Sequence, residues 1–203
     1  QLWTELAAQY DGKDRWYLEA LGIGEKGKET ACLNAWLKKV RDTWKTAAGR
    51  DIIWRSRAPE AAALLAKLLL SSSVPAAEHP RLLRALDFHD TKPKEAALTA
   101  LLEGDAKRNP ATYLEAFQRA NPKFLEKHPE VLKRVESAML ASKGTVTFVD
   151  MVARFNRKDM VKHLMDMVQA APETESGIRA AQQIFAFKEG HRIAAALNKP
   201  NQA

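Results

Sequence analysis

The octapeptide GIGEKGKE, Gly22 to Glu29, fits two phosphate-binding patterns at once. Gly22, Gly24 and Gly27 have the G-x-G-x-x-G spacing of dinucleotide folds, where a tight turn brings backbone N–H groups onto a pyrophosphate. Gly22 through Gly27 and Lys28 also satisfy G-x-x-x-x-G-K, the triphosphate loop. Both patterns need a buried strand before the loop, whereas the preceding DRWYLEAL reads as an amphipathic helix. Glu29 stands where the triphosphate loop needs a Ser or Thr for magnesium, and a carboxylate there repels phosphate. The nucleotide reading is therefore rejected. The expected arrangement is a helix stopped by Gly22, with Gly24 and Gly27 loosening a linker.

Two other stretches carry reactive residue types. In LDFHD, His89 lies between Asp87 and Asp90. Neighbouring carboxylates raise an imidazole pKa and can orient the ring as a base. No nucleophile accompanies them, so a polar helix end is the expectation. In WRSRAPE, Trp54, Arg55 and Arg57 precede a helix start at Pro59. Arginine forks there could clasp a carboxylate, a phosphate or a neighbouring domain, or lock adjacent helices of the chain itself. These six residues are the candidate binding positions, and no catalytic residue is assigned.

The five histidines share no metal-ligand spacing with each other or with Cys32, the single cysteine. His79 and His128 each precede a proline, where a capping or surface role suffices. YDGKD, with Asp11 and Asp14 around Gly12, lacks the oxygen ligands of a calcium loop and reads as a turn. No metal and no cofactor is expected in this chain.

The elements that would position these residues are helical almost throughout. Leu64, Leu65, Leu68 and Leu69 share one face, as do Leu98, Leu101 and Leu102. Val131, Leu132, Val135 and Met139 repeat the spacing, followed by Phe148, Met151, Val152 and Phe155, then Val161, Leu164, Met165 and Val168. GTVTFV at 144–149 is the one stretch that could be a strand, but it runs straight into the helical pattern that follows. Prolines 59, 75, 80, 93, 110, 122, 129 and 172 mark connections or helix starts. Thr91 and Asp159 stand at helix starts, and Gly144 closes a helix. Helices this short are marginal alone and must pack on neighbours. Leucine pairs near Leu64, Leu82 and Leu101 recur about once per helix, giving pairs near the HEAT-like range. The expected fold is all-α, a HEAT-like α-solenoid in one domain over 1–203, Trp-rich over 1–57 and more regular over 58–203.

All five tryptophans fall within the first 54 residues, and a bulky helical core, Trp16 included, is the reading they favour. The net charge is +7, yet the excess is spread thinly over every quarter of the chain. A dispersed charge argues against a dedicated nucleic-acid groove, although a basic helical repeat that binds nucleic acid remains the alternative reading. No run of apolar residues is long enough to span a membrane. Without an initiating Met or a basic, then apolar leader, Gln1 reads as a cut end of a larger protein.

Three stretches in combination, YDGKDRWYLEALGIGEKGKE, DIIWRSRAPEAAALLAKLLL and RLLRALDFHD, carry a resemblance. They resemble the helical middle region of large exported bacterial proteins of the membrane-bound dehydrogenase or haem-binding type. Such proteins join a sugar-dehydrogenase-like β-propeller, a HEAT-like region and a C-terminal cytochrome c domain. The resemblance implies a scaffold in an exported, periplasmic parent, with the flanking domains or another protein as partners. It places any haem c elsewhere in that parent, because TACLN around Cys32 is no C-x-x-C-H attachment motif.

Overall fold

The computed structural model describes residues 1–105, 109–120 and 128–197; Pro122, expected at a connection, lies outside them. Among the described residues there are thirteen α-helices and no strand. They are α1 (Leu2–Gln9), α2 (Arg15–Gly24), α3 (Glu29–Val40), α4 (Ala47–Arg55), α5 (Pro59–Leu70), α6 (His79–Ala85) and α7 (Thr91–Glu103). There follow α8 (Pro110–Arg119), α9 (Pro129–Ala141), α10 (Val146–Arg154), α11 (Val161–Ala170), α12 (Glu175–Ala186) and α13 (His191–Leu197). The all-α expectation holds. No described helix is long and apolar enough to cross a membrane.

Two compact units divide the chain: Gln1–Asp105 with Glu115–Val131, and Ala106–Leu114 with Leu132–Ala203. In the first, helices two apart are neighbours. α1 packs on α3, α3 on α5 and α5 on α7, while α2 packs on α4 and α4 on α6. The leucine positions Leu64, Leu82 and Leu101 fall on the successive helices α5, α6 and α7. Leu33, Trp36, Ile53, Leu65, Leu82 and Leu102 are almost wholly excluded from solvent and form the core of this unit. In the second unit α12 packs on both α10 and α11. There Phe148, Val152, Leu164 and Ile184 are buried, and the His163 ring meets Phe148 edge-on with centroids 6.2 Å apart.

Helix starts follow capping chemistry. Asp14 accepts hydrogen bonds from the amides of Trp16 and Tyr17, and Thr145 accepts one from Phe148. Thr46 and Thr174 each accept one from a glycine three residues on, Gly49 and Gly177. Pro59, Pro110 and Pro129 open α5, α8 and α9, where a missing N–H does no harm.

Four local expectations need correction, and one open alternative is closed. Gly22 does not stop a helix: α2 runs on to Gly24, and the turn lies between Glu25 and Lys28, with Gly27 at φ +79. Gly22 is instead a packing position, because a Cβ there would overlap the Arg55 guanidinium. The 144–149 stretch, the one that could have been a strand, joins the helical pattern that follows it, as the all-α reading required: Thr145 caps α10 and the alternation dissolves into an i, i+3, i+4 face. Asp159 is no cap; it sits in the 3₁₀ turn Lys158–Met160 and pairs with Arg157 at 2.6 Å, while Met160 precedes α11. His79 is buried, with burial lowering its pKa, and it engages the Val74 backbone rather than the surface. Trp16 is 82% exposed and belongs to no core, although Trp36 does.

Candidate functional site

Trp54, Arg55 and Arg57 stand where α4 ends and α5 begins. Ser56 leaves the helix in extended backbone, and its hydroxyl accepts from the Ala58 amide at 3.2 Å, setting up Pro59 at the start of α5. Four carbonyls at a helix C-terminus lack intrahelical donors and carry the negative end of the dipole. Arg57 answers that need: its Nη1 donates to the carbonyls of Trp54, Arg55 and Ser56 at 3.3, 2.9 and 3.1 Å. Its guanidinium also stacks over the exposed Phe88 ring at 4.7 Å from the centroid. Burial and the neighbouring Arg55 charge lower the Arg57 pKa.

The other members of the stretch are likewise engaged within the chain. Arg55 Nε donates to Glu19 Oε2 at 2.9 Å, tying α4 to α2. Trp54 lies beneath the guanidinium of Arg81, at 5.9 Å from the ring centroid. Of the readings open for these arginines, the one that locks adjacent helices is what their contacts describe.

The LDFHD stretch forms a 3₁₀ turn, Leu86–Phe88, before α7. Asp87 does not turn to His89. It accepts from Lys94 Nζ at 2.6 Å and Arg119 Nε at 3.5 Å. Burial raises the Asp87 pKa, but these cations outweigh that and the net shift is downward. Asp90 occupies the N-cap position of α7 without a side-chain cap bond; its backbone carbonyl accepts from the Lys94 amide at 3.1 Å. Thr91 is the first helical residue rather than the cap.

His89 reverses its expected direction. Burial, and then the Arg57 charge, lower its pKa, and Asp90 only partly offsets them. Its Nε2 is shielded from solvent without a hydrogen-bond partner, and among the described residues no carboxylate lies within ion-pairing distance of its ring. The structure therefore brings Arg57, Phe88 and His89 together, and it directs Asp87 elsewhere. A base needs an orienting acceptor, and among the described residues no carboxylate is placed to serve this ring as one. No group of three His, Cys, Asp or Glu side chains there is arranged to hold a metal ion.

Sequence reasoning passed over Glu25, the most deeply buried carboxylate in this region at 2% exposure. It follows α2 and reaches into the α4–α5 turn. There Oε1 accepts from the Arg57 amide at 3.3 Å and Oε2 from the Ser56 hydroxyl at 3.4 Å. Burial raises its pKa, against the lowering influence of those two hydrogen bonds and the Arg55 charge. A raised folded-state pKa means the native state binds the proton more tightly than the unfolded chain. Stability is then fullest below the ordinary glutamate pKa and declines as pH rises through the folded value. Glu25→Gln is expected to raise Tm at neutral pH and to flatten this part of the Tm–pH profile. Calorimetry from the ordinary glutamate range upward reads both effects. An unchanged profile in the variant would assign the pH dependence to another group.

The glycine stretch itself leaves a helix, not a strand: Gly27 donates its amide to Glu29 Oε1 at 2.8 Å, so the turn is closed by its own side chain. Comparisons of the chain with protein-family models, curated proteins and solved structures found no match.

Proposed function

We propose that this chain is a non-catalytic helical-repeat scaffold, of HEAT-like type, that presents broad helical faces to other proteins or domains. The observation that carries this reading is the succession of neighbours in the first unit, α1–α3–α5–α7 beside α2–α4–α6. Two rows of short helices, each leaning on the one two places along, are how repeat arrays bury a continuous core while keeping extended outer faces. The fate of the candidate residues supports it. Arg55 serves Glu19, Arg57 caps α4 and Asp87 serves Lys94 and Arg119, so these polar groups hold helices together rather than standing open to a small ligand.

The resemblance to exported dehydrogenase and haem-binding proteins supplies the setting: a periplasmic parent in which this region holds redox modules together. A pull-down or titration against the flanking domains of that parent tests the role. Saturable binding to at least one of them is the expected result, and failure to contact any would remove the scaffold reading. The nucleic-acid alternative draws on the pI of about 9.5. Against it stand Arg50, Arg55, Arg81, Arg119, Arg157, Arg179 and Arg192, each paired with a carboxylate of the chain. Arginines so engaged are not set out to release phosphate counterions.

A further inference from the structure

We propose that Phe88 and His89 form a pH-released latch: a proton on His89 drives this segment off the Arg57 guanidinium and frees the Phe88 ring, while Arg57 stays in place. The latch is a cluster of three side chains from two turns. The Arg57 guanidinium lies 4.7 Å from the centre of the Phe88 ring. The His89 ring feels the same charge, and its Nε2 is shielded from solvent without a hydrogen-bond partner. An uncharged imidazole tolerates that place. An imidazolium does not, because both of its nitrogens are donors, one of them meets no acceptor, and a second cation stands beside it.

The two sides of the contact are held unequally. Arg57 cannot withdraw: its Nη1 donates to three carbonyls at the end of α4, and its backbone amide donates to the buried Glu25. On the other side the Phe88 ring is 59% exposed, and His89 leaves the 3₁₀ turn in extended backbone. Leu86 is fully buried and Asp87 is fixed by Lys94 and Arg119, so the movement is confined to Phe88 and His89. Arg57 opposes the proton together with burial, and Asp90 on the ring's own segment favours it without offsetting them. Arg55, Glu25 and Glu19 are the charges that act on Arg57 itself. A lowered folded-state pKa means that the unfolded chain binds the proton more tightly. The contact is then fully present above the ordinary histidine pKa and is lost as pH falls through the folded value. Glu25, on the far side of Arg57, runs the opposite way, since burial raises its pKa and its contribution is fullest in acid. Mild acid therefore loosens one side of the α4–α5 turn while the other side holds.

NMR of the full chain between about pH 7.5 and about pH 4.5 tests this, with the His89 ring signals assigned by their absence from His89→Gln. The expected result is a His89 midpoint below the ordinary histidine value, and cross-relaxation between the Phe88 ring and Arg57 side-chain protons that fades with the same midpoint. His89→Gln cannot take up the proton, and it is expected to keep those contacts over the whole range. Arg57→Gln is expected to raise the His89 midpoint by at least about 0.5 pH unit. Glu25→Gln is expected to leave the fading of the contacts tied to His89. Far-UV circular dichroism confirms that each variant is folded, and His89→Gln, at a half-buried position, keeps the test decisive if Arg57→Gln is not. Contacts that persist while His89 titrates would overturn the proposal. So would contacts that fade in His89→Gln, or a His89 midpoint unmoved by a folded Arg57→Gln.

Discussion

Arg50→Ala is expected to lower the stability of the first unit by about 2–3 kcal/mol, below the 3–5 of a fully buried pair because Glu78 retains some solvent. Arg50 is only 9% exposed. Its Nη2 and Nε meet Glu78 at 2.6 and 3.0 Å, and its Nη1 donates to the Lys45 carbonyl at 2.8 Å. Glu78 also accepts from Arg81 at 3.1 Å, Arg81 reaches Asp51 at 2.6 Å, and Asp51 accepts from the Tyr10 hydroxyl at 3.3 Å. One chain of polar contacts thus joins the end of α1, α4 and α6. Removing Arg50 takes two of the three charged hydrogen bonds of Glu78, leaving that partly buried carboxylate only Arg81, and takes the Nη1 donor from the Lys45 carbonyl as well, and that asymmetry makes the loss large.

The measurement is favoured by the placement of the tryptophans, all of which lie within the first 54 residues. Urea unfolding followed by fluorescence reports the first unit, while circular dichroism reports both. The Arg50→Ala midpoint should fall in fluorescence, and Arg50→Lys should fall less, because it keeps the charge but not the fork. The pH profile supplies a second readout. The Arg50 hydrogen bond is the leading cause of the lowered Glu78 pKa. That contribution is present above the ordinary glutamate range and is lost as pH falls through the folded value, so Arg50→Ala should flatten the acid limb of the profile. Equal stability of Arg50→Ala and wild type at neutral pH would mean the network contributes nothing.

This network shows where sequence reading stops. Helices were legible because an apolar face repeats every three or four residues, and Leu65, Leu68, Leu98 and Leu102 are all buried as their spacing required. Arg50, Asp51 and Glu78 carry no such periodic signature; 28 residues separate the partners of the Arg50–Glu78 bond. Glu25 was equally silent, since nothing local distinguishes a carboxylate that folds into the α4–α5 turn from one that faces water. Gly22 misled for a related reason: glycine is enriched beyond helix ends, but here it makes room for a side chain 33 positions away in sequence, Arg55. His89 misled because adjacency to Asp87 is not contact; the 3₁₀ turn sends that carboxylate to Lys94. One local signal was present and overlooked. T-x-x-G occurs at Thr46–Gly49 and again at Thr174–Gly177, and in both units the threonine caps a helix through the glycine amide.

Gly49→Ala tests why the last letter of that pattern is glycine, and a loss of about 2 kcal/mol is expected. A Cβ on Gly49 would fall onto the backbone of Trp44, 2.6 Å from its carbonyl carbon and 2.7 Å from its Cα. Backbone in the 3₁₀ turn Arg41–Lys45 cannot rotate aside as a side-chain tip can, so the turn itself must shift. Thr46→Ala, which removes only the cap, should lose about 1 kcal/mol. The turn that must move also carries the Lys45 carbonyl that receives Arg50. Gly49→Ala and Arg50→Ala therefore damage one shared contact, and the double variant should lose less than the two single losses combined, by at least about 0.5 kcal/mol. Gly177→Ala provides the matching case in the second unit, where the added carbon would meet the Ala171 carbonyl oxygen. It should shift the circular dichroism midpoint and leave tryptophan fluorescence where it was. Strict additivity of Gly49→Ala and Arg50→Ala would show that the turn relaxes without disturbing Lys45, and the link from helix cap to ion-pair network would be lost.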